Sequence, residues 1–246
     1  MNPETAPIQL HLLPQSHPCL TVRRALELKG VEFEEVVLET GSHAAEVERI
    51  YGPGKTTVPG LMIGGDAIHG STEILWRLDR DFPQAPLYPE PNSERIREAE
   101  LWADRELQDL GRWLPFGALY FRPEAMGTFA GAGQLDPAGT DFAIQFVRRS
   151  WKYHDLSAVK LADALAGLPG LVSEIEGFAR EGLVAGPEPT AADLQIGSTV
   201  RILLTVGDLD PLLKGTAAEQ IALEYFPDYP GSIPAGAFPE GWVPQA

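Results

Sequence analysis

Ser16-His17-Pro18-Cys19 places a hydroxyl, an imidazole and a thiol within one turn of chain, directly after the apolar alternation Ile8, Leu10, Leu12. Proline is tolerated in the first turn of a helix, and Val22, Ala25 and Leu26 follow at helical spacing up to Lys29, with Gly30 as a stop. The quartet is therefore expected at a helix N-terminus, where unpaired N–H groups and a partial positive charge stabilise an anion such as a thiolate. Ser16 is either an ordinary N-cap or the donor of a hydrogen bond to a thiolate brought by a cosubstrate. Cys19, the only cysteine, is either a small buried core residue or a contact of that thiol. His17 stands beside the thiol position, to tune the thiolate or to face solvent. A free thiol of pKa about 8.5 is only a few per cent ionised at pH 7, and lowering it by about two units takes roughly 2.7 kcal/mol. One charge-assisted hydrogen bond at a helix terminus supplies a stabilisation of that size.

Further along, Val58-Pro59 precedes the apolar run Gly60 to Ile63, and an X–Pro bond is the one peptide bond that adopts cis with any frequency. Gly70-Ser71-Thr72 opens another helical pattern, either a plain N-cap or a second anion site suited to a carboxylate. Gly54-Lys55-Thr56 is not a phosphate-binding loop, because Arg49 stands where the earlier glycine is required and a strand follows instead of a helix. The five histidines, His11, His17, His43, His69 and His154, show no metal-ligand spacing, so no metal is expected. In the second half Ile96, Leu101, Leu107 and Leu110 fall near one helix face, and the same helix bears Trp102, Glu106, Leu110 and Trp113; these four, with Trp151 and Tyr153, are either core or the lining of a hydrophobic substrate pocket.

These residues need a frame. Phe33 to Leu38 is β-branched and aromatic enough for a strand, and Ala44 to Tyr51 suits a short helix. Gly64-Gly65 joins Gly60–Ile63 to Ala67–His69 as a hairpin, and Ile74, Leu75 and Leu78 mark a helix that Ser71 can cap. The order β-α-β-α-β-β-α predicts a mixed sheet covered by helices, over residues 1–82. Residues 83–92 hold Pro83, Pro86, Pro89 and Pro91 and are expected to be a linker. From 93 to 246 strand signals nearly vanish. Helices are expected over Ser93–Leu114, Phe142–Leu165, Leu171–Ala179 and Ala217–Tyr225, with Gly127–Gly139 a loop and Gly167–Gly170 an interruption. Thr190-Ala191-Ala192-Asp193 is an acidic capping box ahead of Ile196, Val200, Leu203 and Leu204, and the Pro- and Gly-rich tail from Phe226 is expected to be irregular.

Among 246 residues the formal charge is −16, and the Lys and Arg are scattered. No basic face exists to neutralise phosphates, so a nucleic-acid partner is not expected, and the acidity serves solubility. Met1 to Ile8 has neither the basic nor the apolar segment of a signal peptide, and no apolar run approaches the ~18 residues of a membrane span. No membrane association is expected, and a single cysteine fits a reducing cytoplasm.

Taken together, these segments resemble the glutathione S-transferase superfamily over nearly the whole chain. Ser16 to Leu26 is similar to the family's first helix, with Ser16 where serine and cysteine classes place their catalytic residue. Thioredoxins carry two cysteines at this spacing; with Ser16 as the first, two-thiol exchange within one chain is impossible. Lys29-Gly30-Val31 resembles the approach to the second strand. Thr57 to Leu61 resembles the cis-proline segment, which implies a cis Val58–Pro59 bond and backbone pairing of Val58 with the cysteinyl part of glutathione. Gly70 to Leu75 is similar to the segment whose serine holds the γ-glutamyl carboxylate, which implies that role for Ser71 with Thr72, while Lys55 meets the other carboxylate. Gly70 stands where many members carry an acidic residue or glutamine, so Glu73 or a second subunit is expected to meet the ammonium.

The resemblance implies a thioredoxin-like domain followed by an all-helical domain. It implies a cytoplasmic, homodimeric, detoxifying transferase, with glutathione or a related small thiol as cosubstrate and no other cofactor. Ser16 is then catalytic, His17 and Cys19 join the cosubstrate site, and a hydrophobic electrophile occupies a pocket between the domains. Two alternatives remain at this stage: a thiol-dependent isomerase, dehalogenase or ether-cleaving enzyme on the same fold, and a non-catalytic thiol-binding or interaction module.

Overall fold

A computed structural model describes residues 7–228 and 231–245; most of the N-terminal segment in which no signal peptide is expected, Met1–Ala6, lies outside them. Strand β1 (Ile8–Leu12) pairs in parallel with β2 (Glu34–Val37) and antiparallel with β3 (Gly60–Ile63), which pairs antiparallel with β4 (Asp66–His69), giving the order β2-β1-β3-β4. Helices α1 (His17–Leu28), α2 (His43–Tyr51) and α3 (Ser71–Asp81) complete the β-α-β-α-β-β-α series that the sequence predicts.

Register decides which residues share a face. Ile8 lies opposite Ile63 and Leu10 opposite Leu61, and these join Val22, Leu26, Ile74, Leu75 and Leu78 in one core. Each fully buried aliphatic side chain contributes about 1.5–3 kcal/mol relative to exposure. On the other face His11, Gly60 and His69 line up across three strands, and Gly60 makes room for the Tyr51 ring: a Cβ there would lie 2.2 Å from Tyr51 Cζ. At the end of α1 the fully buried Lys29 ammonium donates to Asp79 Oδ1 (3.0 Å) and to the carbonyls of Phe82 (2.8 Å), Gln84 and Ala85. This one cation ties α1 to the end of α3 and to the start of the connecting segment.

The second half comprises α4 (Ser93–Trp102), a π-helical segment (Ala103–Leu107), α5 (Leu110–Phe121), α6 (Met126–Phe129), α7 (Pro137–Tyr153), α8 (Ala158–Arg180), α9 (Ala191–Leu203), α10 (Asp210–Leu213) and α11 (Ala217–Tyr225). The helix expected over Ser93–Leu114 is therefore interrupted: Gln108 N–H reaches back five residues to Ala103 O (3.0 Å). The interruption expected at Gly167–Gly170 does not occur. Leu161, Leu165, Leu168, Val172 and Ile175 form a continuous buried stripe that carries α8 through both glycines and Pro169. The chain breaks instead between His154 and Ser157, where Asp155 takes φ 49° and Ser157 caps α8 by accepting from Lys160 N–H. The segment expected as loop from Gly127 to Gly139 is partly helical, since Asp136 accepts from Gly139 N–H and starts α7 at Pro137.

The capping box forms as expected. Asp193 accepts from Thr190 N–H (2.9 Å), Thr190 Oγ1 (2.9 Å) and Ala185 N–H (2.7 Å). It starts α9, whose residues are buried on nearly every side because α1, α4, α5 and α11 all pack against it. Among the described residues no single helix is long and apolar enough to cross a membrane.

Candidate functional site

Strand register alone brings three separate segments to one end of the sheet. His11 opposes Gly60, so Leu12 and the turn to Ser16 leave β1 beside the Val58–Pro59 pair that leads into β3. Gly60 opposes His69, so Gly70 and Ser71 leave β4 at that same end. The Val58–Pro59 bond is cis, and Pro59 O accepts from Gly70 N–H (3.0 Å), which ties the proline turn to the start of α3.

Each helix start presents different donors. Ser16 is the N-cap of α1 and half-buried, and its hydroxyl makes no capping bond. Pro18 has no N–H and Cys19 N–H is taken by Ser16 O (2.9 Å), which leaves His17 N–H and the Ser16 hydroxyl as the donors of that turn. At α3 the N-cap is Gly70, with φ 93°, and Ser71 is the first helical residue; the expectation that Ser71 caps the helix is corrected accordingly. Glycine suits this position because the left-handed φ costs it nothing. The first bond of the helix runs from Ile74 N–H to Gly70 O (3.1 Å), so the amides of Ser71, Thr72 and Glu73 point out of the helix end. Ser71 is nearly buried, Val58 is buried and Lys55 is exposed. Thr72 O accepts from Arg97 (3.2 Å), and Glu73 lies 3.6 Å from the same guanidinium, so Glu73 is drawn toward α4 rather than held for a ligand's ammonium.

Two residues assigned to the cosubstrate site are turned away from it. His17 is only 2 % exposed. Its Nε2 lies 3.0 Å from Gln108 O, and since a carbonyl only accepts, Nε2 carries the proton. The ring sits against Gly111, where a Cβ would come within 2.8 Å of Cε1. Burial, and then the Arg112 cation, hold its pKa well below the ordinary range, so His17 is a neutral strut between α1 and the break before α5. It does not face solvent. Cys19 is buried as well, and burial raises its thiol to about 11 despite a Ser16 hydroxyl within hydrogen-bonding reach. A protonated, enclosed thiol is a core group and not a nucleophile.

The six aromatic and apolar pocket candidates do not line one surface. Trp102 packs edge-on against Phe178 of α8 (5.1 Å), Glu106 is exposed and Leu110 is buried. Trp113 is half-buried under the Lys160 ammonium, which lies 4.0 Å from its ring centroid. Trp151 lies tilted against Tyr120 (4.0 Å, 34°), and Tyr153 is 64 % exposed. For the four candidates between Trp102 and Trp113 the π segment intervenes, whereas Trp151 and Tyr153 belong to α7. Spacings of four and three residues keep one face only while every turn is α-helical, and the wider π turn moves the stripe round by about one residue. The face of α5 that remains partly open carries Asp109, Arg112, Trp113, Phe116 and Tyr120. Phe116 stacks on His154 (5.6 Å, 21°), and the Arg112 charge is felt at His17 and Cys19 on one side and at His154 on the other. Sequence reading missed Arg112 and Phe116, although they stand four residues apart on either side of Trp113. Two shallow, open concavities lie elsewhere, about 460 Å³ beside Glu176, Thr216 and Leu223 and about 200 Å³ beside Pro89, Ile96 and Leu183. Neither includes a residue of the sheet end.

Residues 10–86 match the family described as Glutathione S-transferase, N-terminal domain. No curated protein matches the chain. Among solved structures, a glutathione S-transferase from Rhodospirillum rubrum F11 is 18% identical, covering 89% of this chain and 86% of its own with a TM-score of 0.55. A GST-like protein from Pseudomonas syringae is 20% identical over 93% of this chain and 70% of its own, with a TM-score of 0.58. The beta-etherase LigF from Sphingobium sp. strain SYK-6 is 18% identical over 89% and 90%, with a TM-score of 0.56. At such identities the likeness is one of fold. Residues 10–86 thus form a glutathione S-transferase N-terminal domain by their family match, and the chain as a whole shares the fold of these solved structures.

Proposed function

We propose that this protein binds glutathione, or a closely related small thiol, at the sheet end and adds its sulfur to an electrophile with a hydrophobic body. The observation that carries the reading is the convergence, by strand register, of the α1 start, the cis Val58–Pro59 turn and the α3 start. In this scheme the Ser16 hydroxyl donates to the thiolate, the Val58 backbone orients the peptide, and the α3 start with Ser71 and Thr72 holds the γ-glutamyl carboxylate. Lys55, exposed before the proline turn, meets the second carboxylate. The thiol proton passes to solvent, the sulfur electron pair forms a C–S bond, and the leaving group departs with the pair of the bond that breaks. An ether oxygen serves as leaving group in the same step, when it departs as an alkoxide or phenolate.

Calorimetric titration with reduced glutathione, with other small biological thiols alongside, tests the reading. Glutathione binding in the micromolar-to-millimolar range that weakens in Ser71→Ala is expected. Ser16→Ala should keep the fold and lower turnover of a model electrophile about a hundredfold, the effect of removing one donor to a developing or stabilised charge. Absence of heat with every thiol overturns the proposal.

A further inference from the structure

We propose that the half-open face of α5 is a binding site for an aromatic anion, and that the electrophile is an aromatic compound bearing a carboxylate or similar charge. As the identity of the electrophile this rests on the transferase reading; as a binding site it does not. The chain carries a formal charge of −16, yet this face gathers two cations beside aromatic rings. Arg112, 24 % exposed, is held by Asp109 Oδ1 (2.8 Å) and Gln108 Oε1 (3.2 Å), which fix the guanidinium without enclosing it. The Lys160 ammonium lies over the Trp113 ring, and its only hydrogen bonds among the described residues are long ones to the carbonyls of His154 (3.3 Å) and Asp155 (3.4 Å). No carboxylate partners Lys160 among the described residues.

The rings supply the rest of the recognition. Trp113 and Phe116 are half-buried, and Phe116 stacks on His154, so apolar ring surface borders both cations. Asp109 pairs directly with Arg112, and Asp104, hydrogen-bonded by Gln108 and Gln195, feels the Arg112 charge from farther off. A neutral apolar ligand would leave Arg112 and Lys160 without gain. An aliphatic anion would leave the rings without gain. A flat ring with a negative substituent uses both. The site also adjoins the Ser16 turn, because Gly111, next to Arg112, touches the His17 ring.

The test uses 4-nitrobenzoate and its neutral isostere 4-nitrobenzamide, each followed by quenching of tryptophan fluorescence in the full chain without any thiol. The acid should bind about tenfold more tightly than the amide, a difference of about 1.4 kcal/mol. The preference should shrink in Arg112→Gln and in Lys160→Gln, vanish in the double variant, and persist in Lys152→Gln, an exposed cation outside the cluster. Equal affinities for acid and amide, no binding of either, or a preference that survives the double variant overturns the proposal. Circular dichroism of each variant separates loss of the site from loss of the fold. Acid binding without glutathione binding would sink the transferase reading and leave this site standing; the converse would do the opposite.

Discussion

Gly111 and Arg112 are neighbours in the chain, yet they belong to two different environments. Gly111 lies in a closed seam where α1, α5 and α9 meet, touched by His17 and Ile202 at distances that would admit no extra methyl. Along the same seam Thr21 hydrogen-bonds Ser198 (2.7 Å), and Gln195 bonds Asp104 (3.2 Å). Arg112 opens the adjoining side, where Trp113, Phe116 and Tyr120 are only partly covered and meet His154 and Trp151 through ring contacts. In the seam most polar groups are positioned by hydrogen bonds, with Gln195 Oε1 buried and without a partner among the described residues, and packing around Gly111 leaves no slack. On the open face, contacts are broad and apolar and tolerate rearrangement. Closed packing fixes where Ser16 stands relative to α5, and open packing leaves room for ligands of varied shape.

The largest test of the closed side is Glu100, whose side chain is fully buried between Tyr88 OH (2.7 Å) and Arg97 (2.7 Å). Its other oxygen has no partner among the described residues. Burial raises the carboxyl to about 7, against the pull of Tyr88 and Arg97. Below pH about 4.5 Glu100 is protonated in both the folded and the unfolded chain and costs nothing. Between there and about 7 the unfolded chain ionises first, so stability falls as pH rises through that window. Glu100→Gln cannot ionise. Urea unfolding of both proteins at pH 5 and pH 8 should show the stability difference moving by about 2 kcal/mol in favour of the variant at the higher pH. A difference that stays constant would mean that Glu100 is already charged in the folded state and that the seam is wetter than its packing implies.

Next in size is Gly111→Ala. The added methyl would meet His17 Cε1 at 2.8 Å and Ile202 Cγ2 at 3.1 Å, and overpacking of this kind costs about 1–3 kcal/mol. Removing the ring should make room, so Gly111→Ala combined with His17→Ala should be less destabilised than the sum of the two, by about 1 kcal/mol. Denaturant unfolding of the four proteins measures that coupling. Simple additivity would show that His17 does not fill the space in front of Gly111.

Much of the closed side was legible in the sequence and the open side was not. Strand alternation at Ile8, Leu10 and Leu12, the glycine pair of the hairpin and the capping box at Thr190 are local signals, and each element stands where they point. The seam is only half legible: His17 follows Ser16 in the chain, but its burial depends on a carbonyl at Gln108, 91 residues away. The helix stripe failed for a local reason that leaves little trace in composition, the π turn at Ala103–Leu107. Gly167 and Gly170 misled in the opposite direction, because a stripe of five buried side chains outweighs the roughly 1 kcal/mol that each glycine costs a helix.

On the open side, Phe116→Leu keeps most of the buried volume and loses the stack on His154, and should cost about 1 kcal/mol in denaturant unfolding. A loss of about 3 kcal/mol or more would class Phe116 with the core and close the face that Arg112 borders.

The smallest expected change belongs to Tyr153→Ser. Tyr153 is 64 % exposed and touches its neighbour His154 edge-on at 5.0 Å. Its ring covers little that water does not already reach, so unfolding free energy should stay within about 0.5 kcal/mol of the parent. The same variant should leave the acid-over-amide preference unchanged, because Tyr153 brings neither charge nor enclosed surface to Arg112 and Lys160. If stability held and the preference fell, the anion site would extend past His154 along α7, and the open face would be larger than the strip on α5. If stability itself dropped by more than about 1 kcal/mol, the end of α7 would belong with the closed packing, and the contrast between the two sides of α5 would fail at that point.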